Sequence, residues 1–116
     1  MESRPAALRL EELGLARGSP VILYLQNPRE KIWGLLVTLE PSGIVLRGLD
    51  LVTFEDWMRQ EARGDDADIG LLTLFYPMHR VERLERDEPS GFVPGYAERF
   101  LREVGRSVRE VLGLAD

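Results

Sequence analysis

The run Val21-Ile22-Leu23-Tyr24-Leu25 constrains this chain more than any other feature. A strand with one wet face alternates apolar and polar residues; an unbroken run is covered on both faces. A polar turn at Asn27-Pro28-Arg29-Glu30 leads into a second such run, Ile32–Leu39. Gly34 within it marks a bend or a close backbone approach. Glu40-Pro41-Ser42-Gly43 reads as a turn, Ile44–Leu46 opens a third strand, and Gly48 is a place for a bulge. Leu71–Tyr76 and Arg80–Glu85 supply a fourth and a fifth strand, with a turn at Pro77-Met78-His79 between them.

Helices flank and interrupt these strands. Ser3 and Pro5 suit the start of a short N-terminal helix, with Leu8, Leu10, Leu13 and Leu15 as its apolar positions and Gly14 and Gly18 as exits. Thr53-Phe54-Glu55-Asp56 reads as a capping box that opens a helix over Phe54–Ala62, closed by Gly64. After a linker at 87–95, Tyr96, Phe100, Leu101, Val104, Val108, Val111 and Leu112 recur at helical spacing, predicting one C-terminal helix over 96–113. Its Glu98–Arg102 and Arg99–Glu103 pairs are well oriented, and Gly105 beside the stripe suggests close approach of another backbone. The organisation is one domain over residues 1–116: an N-terminal segment 1–18, strands over 19–86 with an insertion at 53–68, the linker and the last helix.

The chain has 116 residues, enough for one core without staples, and no cysteine, so disulfides and thiolate metal sites are excluded. No apolar run reaches the ~20 residues a spanning helix needs. The start, Met1-Glu2-Ser3-Arg4-Pro5, lacks the apolar core of a signal peptide. A cytoplasmic location is the expectation, with no membrane contact. The formal net charge is −5, and its distribution matters more than its sum. Residues 53–68 carry six acids against Arg59 and Arg63, and no basic block exists anywhere. That pattern argues against a dedicated nucleic-acid binder.

A helix followed by five short strands, the fourth and fifth joined by a turn, resembles the Sm-like family, most nearly its bacterial Hfq branch. The residues that carry the resemblance are Pro20-Val21, Tyr24-Leu25, Asn27, Gly34, Glu40, Ile44-Val45-Leu46 and His79, spread over about Leu10–Leu84. The resemblance implies a small, strongly bent, five-stranded SH3-type barrel that assembles into a homo-oligomeric ring. In such a ring the fourth strand of one subunit pairs with the fifth of the next, so Leu74, Phe75, Tyr76, Val81 and Leu84 become interface candidates. It also implies RNA contacts, with Tyr24 stacking a base on the adenine-binding face and His79 touching uridine. The lysine that accompanies that histidine is Met78 here, and the aromatic residue that sandwiches uracil is Ser42. The Asp-to-Asn spacing of the Sm branch falls on Glu40 and Ile44.

Each candidate side chain also has a plain structural role. His79, the one histidine, suits a locally hydrogen-bonded turn. Tyr24 suits a barrel wall or interface. Arg80, Arg83 and Arg86 alternate with Glu82 and Glu85, so a basic strip there neutralises itself. Asp65, Asp66 and Asp68 lack the glycine and distal glutamate of a calcium loop. Trp33, Phe54 and Trp57 suit core packing. Neither a nucleophile elbow nor a phosphate-cradling glycine loop occurs, and a single histidine builds no metal triad.

The reading of the sequence is therefore a mainly β, Sm-like fold with flanking helices, not an enzyme and without a cofactor. It acts as an oligomeric scaffold or protein-interaction module. The alternative is a single-stranded RNA binder that uses Tyr24, His79 and Arg80.

Overall fold

The structure is a computed structural model and describes residues 10–64 and 68–114. The strands are β1 (Pro20–Leu25), β2 (Glu30–Glu40), β3 (Gly43–Asp50), β4 (Leu72–Pro77) and β5 (Val81–Arg86); the helices are α1 (Phe54–Arg63), α2 (Tyr96–Val104) and α3 (Val108–Val111). All strand pairs are antiparallel, in the order β4-β3-β2-β1-β5. A five-stranded, mainly β architecture matches the expectation. The sheet is open: β4 and β5 are its edges, joined by a 3-10 turn over Met78–Arg80.

The unbroken apolar runs are explained by a core on each face. Val21, Leu23 and Leu25 pack with Ile32, Leu36, Ile44, Leu46 and Leu15 on one side. On the other side, Ile22, Trp33, Leu35 and Leu49 meet Phe54, Trp57 and Met58 of α1, Phe100 of α2 and Val108 of α3. The alternation of the strand pleat sorts the residues, and the helices supply the second cover. Five aromatic rings sit at this helical interface. Trp57 stacks on Phe100 at 4.6 Å between centroids, and Phe54 meets Trp33 at 5.0 Å and Tyr96 at 5.2 Å.

Gly34 and Gly48 face each other across β2 and β3. A Cβ on Gly34 would lie 2.7 Å from the Arg47 carbonyl oxygen, and one on Gly48 would lie 2.3 Å from that of Trp33. Gly34 thus serves close approach, as its place in the run suggests. Gly48 is its partner in that approach and not the site of a bulge. The register shift falls at Val37, between Leu36 and Thr38.

The helical boundaries differ from the expectation in three places. The expected cap at Thr53 does not form: a 3-10 turn, Leu51–Thr53, winds directly into α1, and the Thr53 side chain makes no cap hydrogen bond. Gly64 does close α1, at φ 72°. The single helix expected over 96–113 is two helices. Gly105, at φ 85°, ends α2 in the left-handed region that favours glycine, and Ser107 caps α3 through the Glu110 amide. Its glycine serves that turn, since a Cβ there would meet nothing within 4 Å. Leu101 of the predicted stripe is exposed. Of the N-terminal helix, the described part is a 3-10 turn over Leu10–Leu13; Ser3, Pro5 and Leu8 lie outside the described residues, as do Asp65 and Asp66. Gly14 and Gly18 take positive φ and end that segment as expected.

Asp87 fastens the two layers together. Its Oδ2 accepts from the Trp33 indole N–H at 3.0 Å and from the Ala97 amide at 2.8 Å, and its Oδ1 accepts from the Tyr96 amide at 2.7 Å. The carboxylate caps α2 from outside the helix and places negative charge at its N-terminus. Gln60, buried in α1, acts similarly on the following loop: its Oε1 accepts from the Asp68 and Ile69 amides, and its Nε2 donates to the Ile69 carbonyl. The Ser107 amide holds the Glu110 carboxyl below its usual range, so the capping box of α3 stabilises above that range and is lost as pH falls through the lowered value.

Replacing Asp87 with alanine leaves an indole and two helix amides without their acceptor. The expected cost is about 2–3 kcal/mol of stability, read as a lower urea midpoint by far-UV circular dichroism. An unchanged midpoint would remove Asp87 from this role.

Candidate functional site

Strand register, not sequence proximity, sets the surroundings of Tyr24. Its neighbours across the sheet are Lys31 on β2 and Arg83 on β5. The Arg83 guanidinium lies 4.2 Å from the Tyr24 ring centroid and the Lys31 ammonium 5.6 Å. The Tyr24 hydroxyl donates to Glu85 at 3.0 Å, and Glu85 in turn pairs with Arg83 at 3.1 Å. Tyr24 is half-buried and held at both ring and hydroxyl. A base stacking on the face under Arg83 must first displace a cation from it.

Arg80 is engaged elsewhere. Its Nε donates to the Gln26 carbonyl at 3.1 Å, and its Nη2 donates to the Pro28 carbonyl at 2.7 Å and pairs with Glu30 at 3.4 Å. The Gln26 amide N–H completes the tie by donating to the Arg80 carbonyl. Arg80 thereby pins the β1–β2 turn, where Asn27 takes φ 55° and the Asn27–Pro28 peptide is cis. A planar guanidinium suits this work because it serves several oxygens at once. His79 is exposed, and its carbonyl accepts from the Gln26 side chain. The three RNA candidates thus divide: Tyr24 joins Lys31, Arg83 and Glu85, while Arg80 and the His79 backbone serve the β1–β2 turn.

A cleft of about 800 Å³ opens beside Tyr24, with Leu51 and Val52 on one wall. Its charged lining is Arg29 and Lys31 against Glu30, Asp50 and Glu82. Acids outnumber bases there, which opposes a phosphate backbone. Among the described residues no cluster of three or more His, Cys, Asp or Glu is placed to hold a metal ion, and no helix is long and apolar enough to cross a membrane.

The interface candidates also divide by the pleat. Leu74, Tyr76, Val81 and Leu84 turn inward and pack, half-buried, against the Leu23 core. Phe75 turns outward at 58% exposure, its ring lying over Gly43. Leu72, at the start of the same strand, is 64% exposed. Among the described residues nothing pairs with the outer side of β4, which therefore joins unpaired strand backbone to exposed apolar side chains. β5, the other edge, is exposed at Glu82, Arg83 and Arg86.

The sequence reading missed Asp87, hidden in a segment read as linker, and the cations beside Tyr24. Asp87 stands nine residues ahead of the helix it caps, outside the range of local cap patterns. The Lys31–Tyr24–Arg83 row becomes visible only once the register of three strands is known. No protein-family model matches the chain, and no significant match is found among curated proteins or solved structures.

Burial, followed by the nearby charges of Glu30 and Asp50, raises the Tyr76 hydroxyl above its ordinary value of 10.0, while Arg80 opposes the shift. The folded state thus favours the neutral phenol. This contribution is whole below pH 10 and is lost as pH rises through the raised value. In an alkaline titration followed by phenolate absorbance, a late component is expected that disappears in Tyr76→Phe; its persistence in that variant would assign it to another tyrosine.

Proposed function

We propose that this protein is a divergent Sm-like scaffold that assembles with copies of itself through its sheet edges and works by protein contact, without catalysis. The observation that carries the reading is the free edge of β4, where Leu72 and Phe75 stand exposed beside unpaired backbone. Such an edge is a template for another strand unless something covers it. In the proposed assembly the charged β5 edge of a neighbouring copy covers it, and repetition closes a ring. The inward residues Leu74, Tyr76, Val81 and Leu84 support the interface from behind and Phe75 meets the partner.

Two further features support the reading. The fourth and fifth strands are joined by one 3-10 turn, as in the five-strand plan that the sequence resembles. The helices lie against one face of the sheet and leave both edges open. Placing the bent sheet in the Sm-like barrel class belongs to the same proposal, as does a cytoplasmic site of action.

RNA binding is the second reading, favoured by one observation: an aromatic ring flanked by two cations in the Lys31–Tyr24–Arg83 row. Guanidinium planes and aromatic rings both stack bases.

Light scattering behind a sizing column distinguishes these readings. A mass of several copies is expected for the parent chain, falling in the double variant Leu72→Lys with Phe75→Lys, because lysine on an exposed edge blocks pairing. A monomeric parent would overturn the scaffold. Excess ultraviolet absorbance from nucleic acid on the same peak, lost in Tyr24→Ala, would transfer the function to RNA.

A further inference from the structure

Among the described residues, the Leu23 core is incomplete at one side. A groove of about 720 Å³ opens there, and its wall is largely apolar: Leu10 and Leu13 from the N-terminal turn, Leu39 from the end of β2, Met78, and Val81 and Leu84 from β5. Leu10, Leu39, Met78, Val81 and Leu84 are only half-buried, and Leu13 is 46% exposed. The charges on its rim are Glu40 and the pair Arg86 and Glu88, 2.5 Å apart. Among the described residues the groove therefore offers uncovered apolar surface with charge confined to its rim, the composition of a site for apolar side chains.

The same chain carries a projection of matching character. Ser90 and Val93 exchange both backbone hydrogen bonds, at 2.9 and 3.0 Å, across a two-residue turn. Gly91 takes φ 60° at its first central position, as turns of this kind require, and Phe92 occupies the second. Phe92 is fully exposed and Val93 is 67% exposed. The turn that displays this ring is pinned by its own backbone hydrogen bonds, so binding costs little backbone freedom, a property of an interface anchor. The segment around it, from Asp87 to Gly95, carries acids and no base, so it is poorly suited to an anionic membrane surface.

We infer that the groove is filled by the Phe92–Val93 turn of a second copy of this chain. Position and area both favour this occupant. Glu88, on the groove rim, precedes Phe92 by four residues, so projection and groove lie within about 14 Å of chain reach of each other. When both elements lie on one side of a molecule, two copies can exchange projections about a two-fold axis, and the contact closes without leaving a free groove. Each aromatic anchor buries about 150–250 Å². Two of them, with two valines and the groove surface that they cover, reach on the order of 1,000 Å², the lower bound of a specific interface. The contact uses side chains of β5, Val81 and Leu84, but no residue of β4; where edges also pair, it joins two edge-built assemblies face to face.

The absence of cysteine makes the test direct. Ser90→Cys, beside the intact Phe92 anchor, and Glu40→Cys, on the groove rim, both at exposed positions, are purified separately, mixed, allowed to exchange and oxidised. A disulfide-linked pair containing one of each variant is the expected dominant product, with cross-links between like variants scarce. Random or absent cross-linking would overturn the inference. In parallel, Phe92→Ser should halve the native mass by light scattering with an unchanged circular dichroism spectrum. An unchanged mass would also overturn it. Edge pairing is judged apart from this, since the Leu72→Lys, Phe75→Lys variant leaves the projection and groove intact.

Discussion

One carboxylate links the two layers of this protein. The three central strands are apolar on both faces, so the sheet is viable in water only while the helices stay against it. Asp87 stands where β5 gives way to the path toward α2, and it accepts hydrogen bonds from Trp33 of the sheet and from the first amides of α2. The helix is thereby started, oriented and attached by the same side chain. The ion pairs that reach across to α1, Arg99 of α2 with Glu55 and Arg106 just beyond α2 with Glu61, then act on helices that are already in place. They are partly wet and contribute modestly; hydrophobic burial of Phe54, Trp57 and Phe100 supplies most of the adhesion.

The arginines illustrate how a fold uses charge that a sequence seems to offer to ligands. Arg80 serves the β1–β2 turn, Arg83 covers Tyr24, and Arg86 binds Glu88 and the Gly14 carbonyl. Three cations at regular spacing on one short strand region therefore have three separate local duties. Alternation with Glu82 and Glu85 foreshadowed neutralisation in kind, though not the particular partners. Arg80 in particular meets backbone carbonyls, and backbone acceptors leave no trace in a residue pattern.

Legibility followed the range of the interaction. Val21–Leu25 announced a strand covered on both faces because the pleat is a local rule, and Gly34 announced a tight approach because only a missing side chain permits one. Gly64 marked the end of α1 by its left-handed backbone. Thr53 misled because the preceding residues were already turning, so the chain entered α1 without the extended cap conformation that a threonine hydroxyl needs. The last helix was read as one because Val108, Val111 and Leu112 continue a stripe in which Gly105 is a single interruption; the break depends on whether a left-handed turn lets α3 fold back on the same core. The groove and the aromatic turn at Phe92 were invisible for a different reason. Apolar residues in sequence say that burial is wanted, and only the three-dimensional arrangement reveals which of them have not obtained it.

The placement of Trp33 and Trp57 has an optical consequence. Both indoles belong to the helix-covered face, packed in one aromatic cluster, and no tryptophan touches the opposite core. Intrinsic fluorescence therefore watches the helices on the sheet and is nearly blind to the Leu23 side. Backbone dichroism samples both faces together. The pair of signals acts as a built-in ruler of cooperativity: coincident curves mean that the two layers melt as one body, and an early fluorescence change means that the helices leave first while the sheet persists.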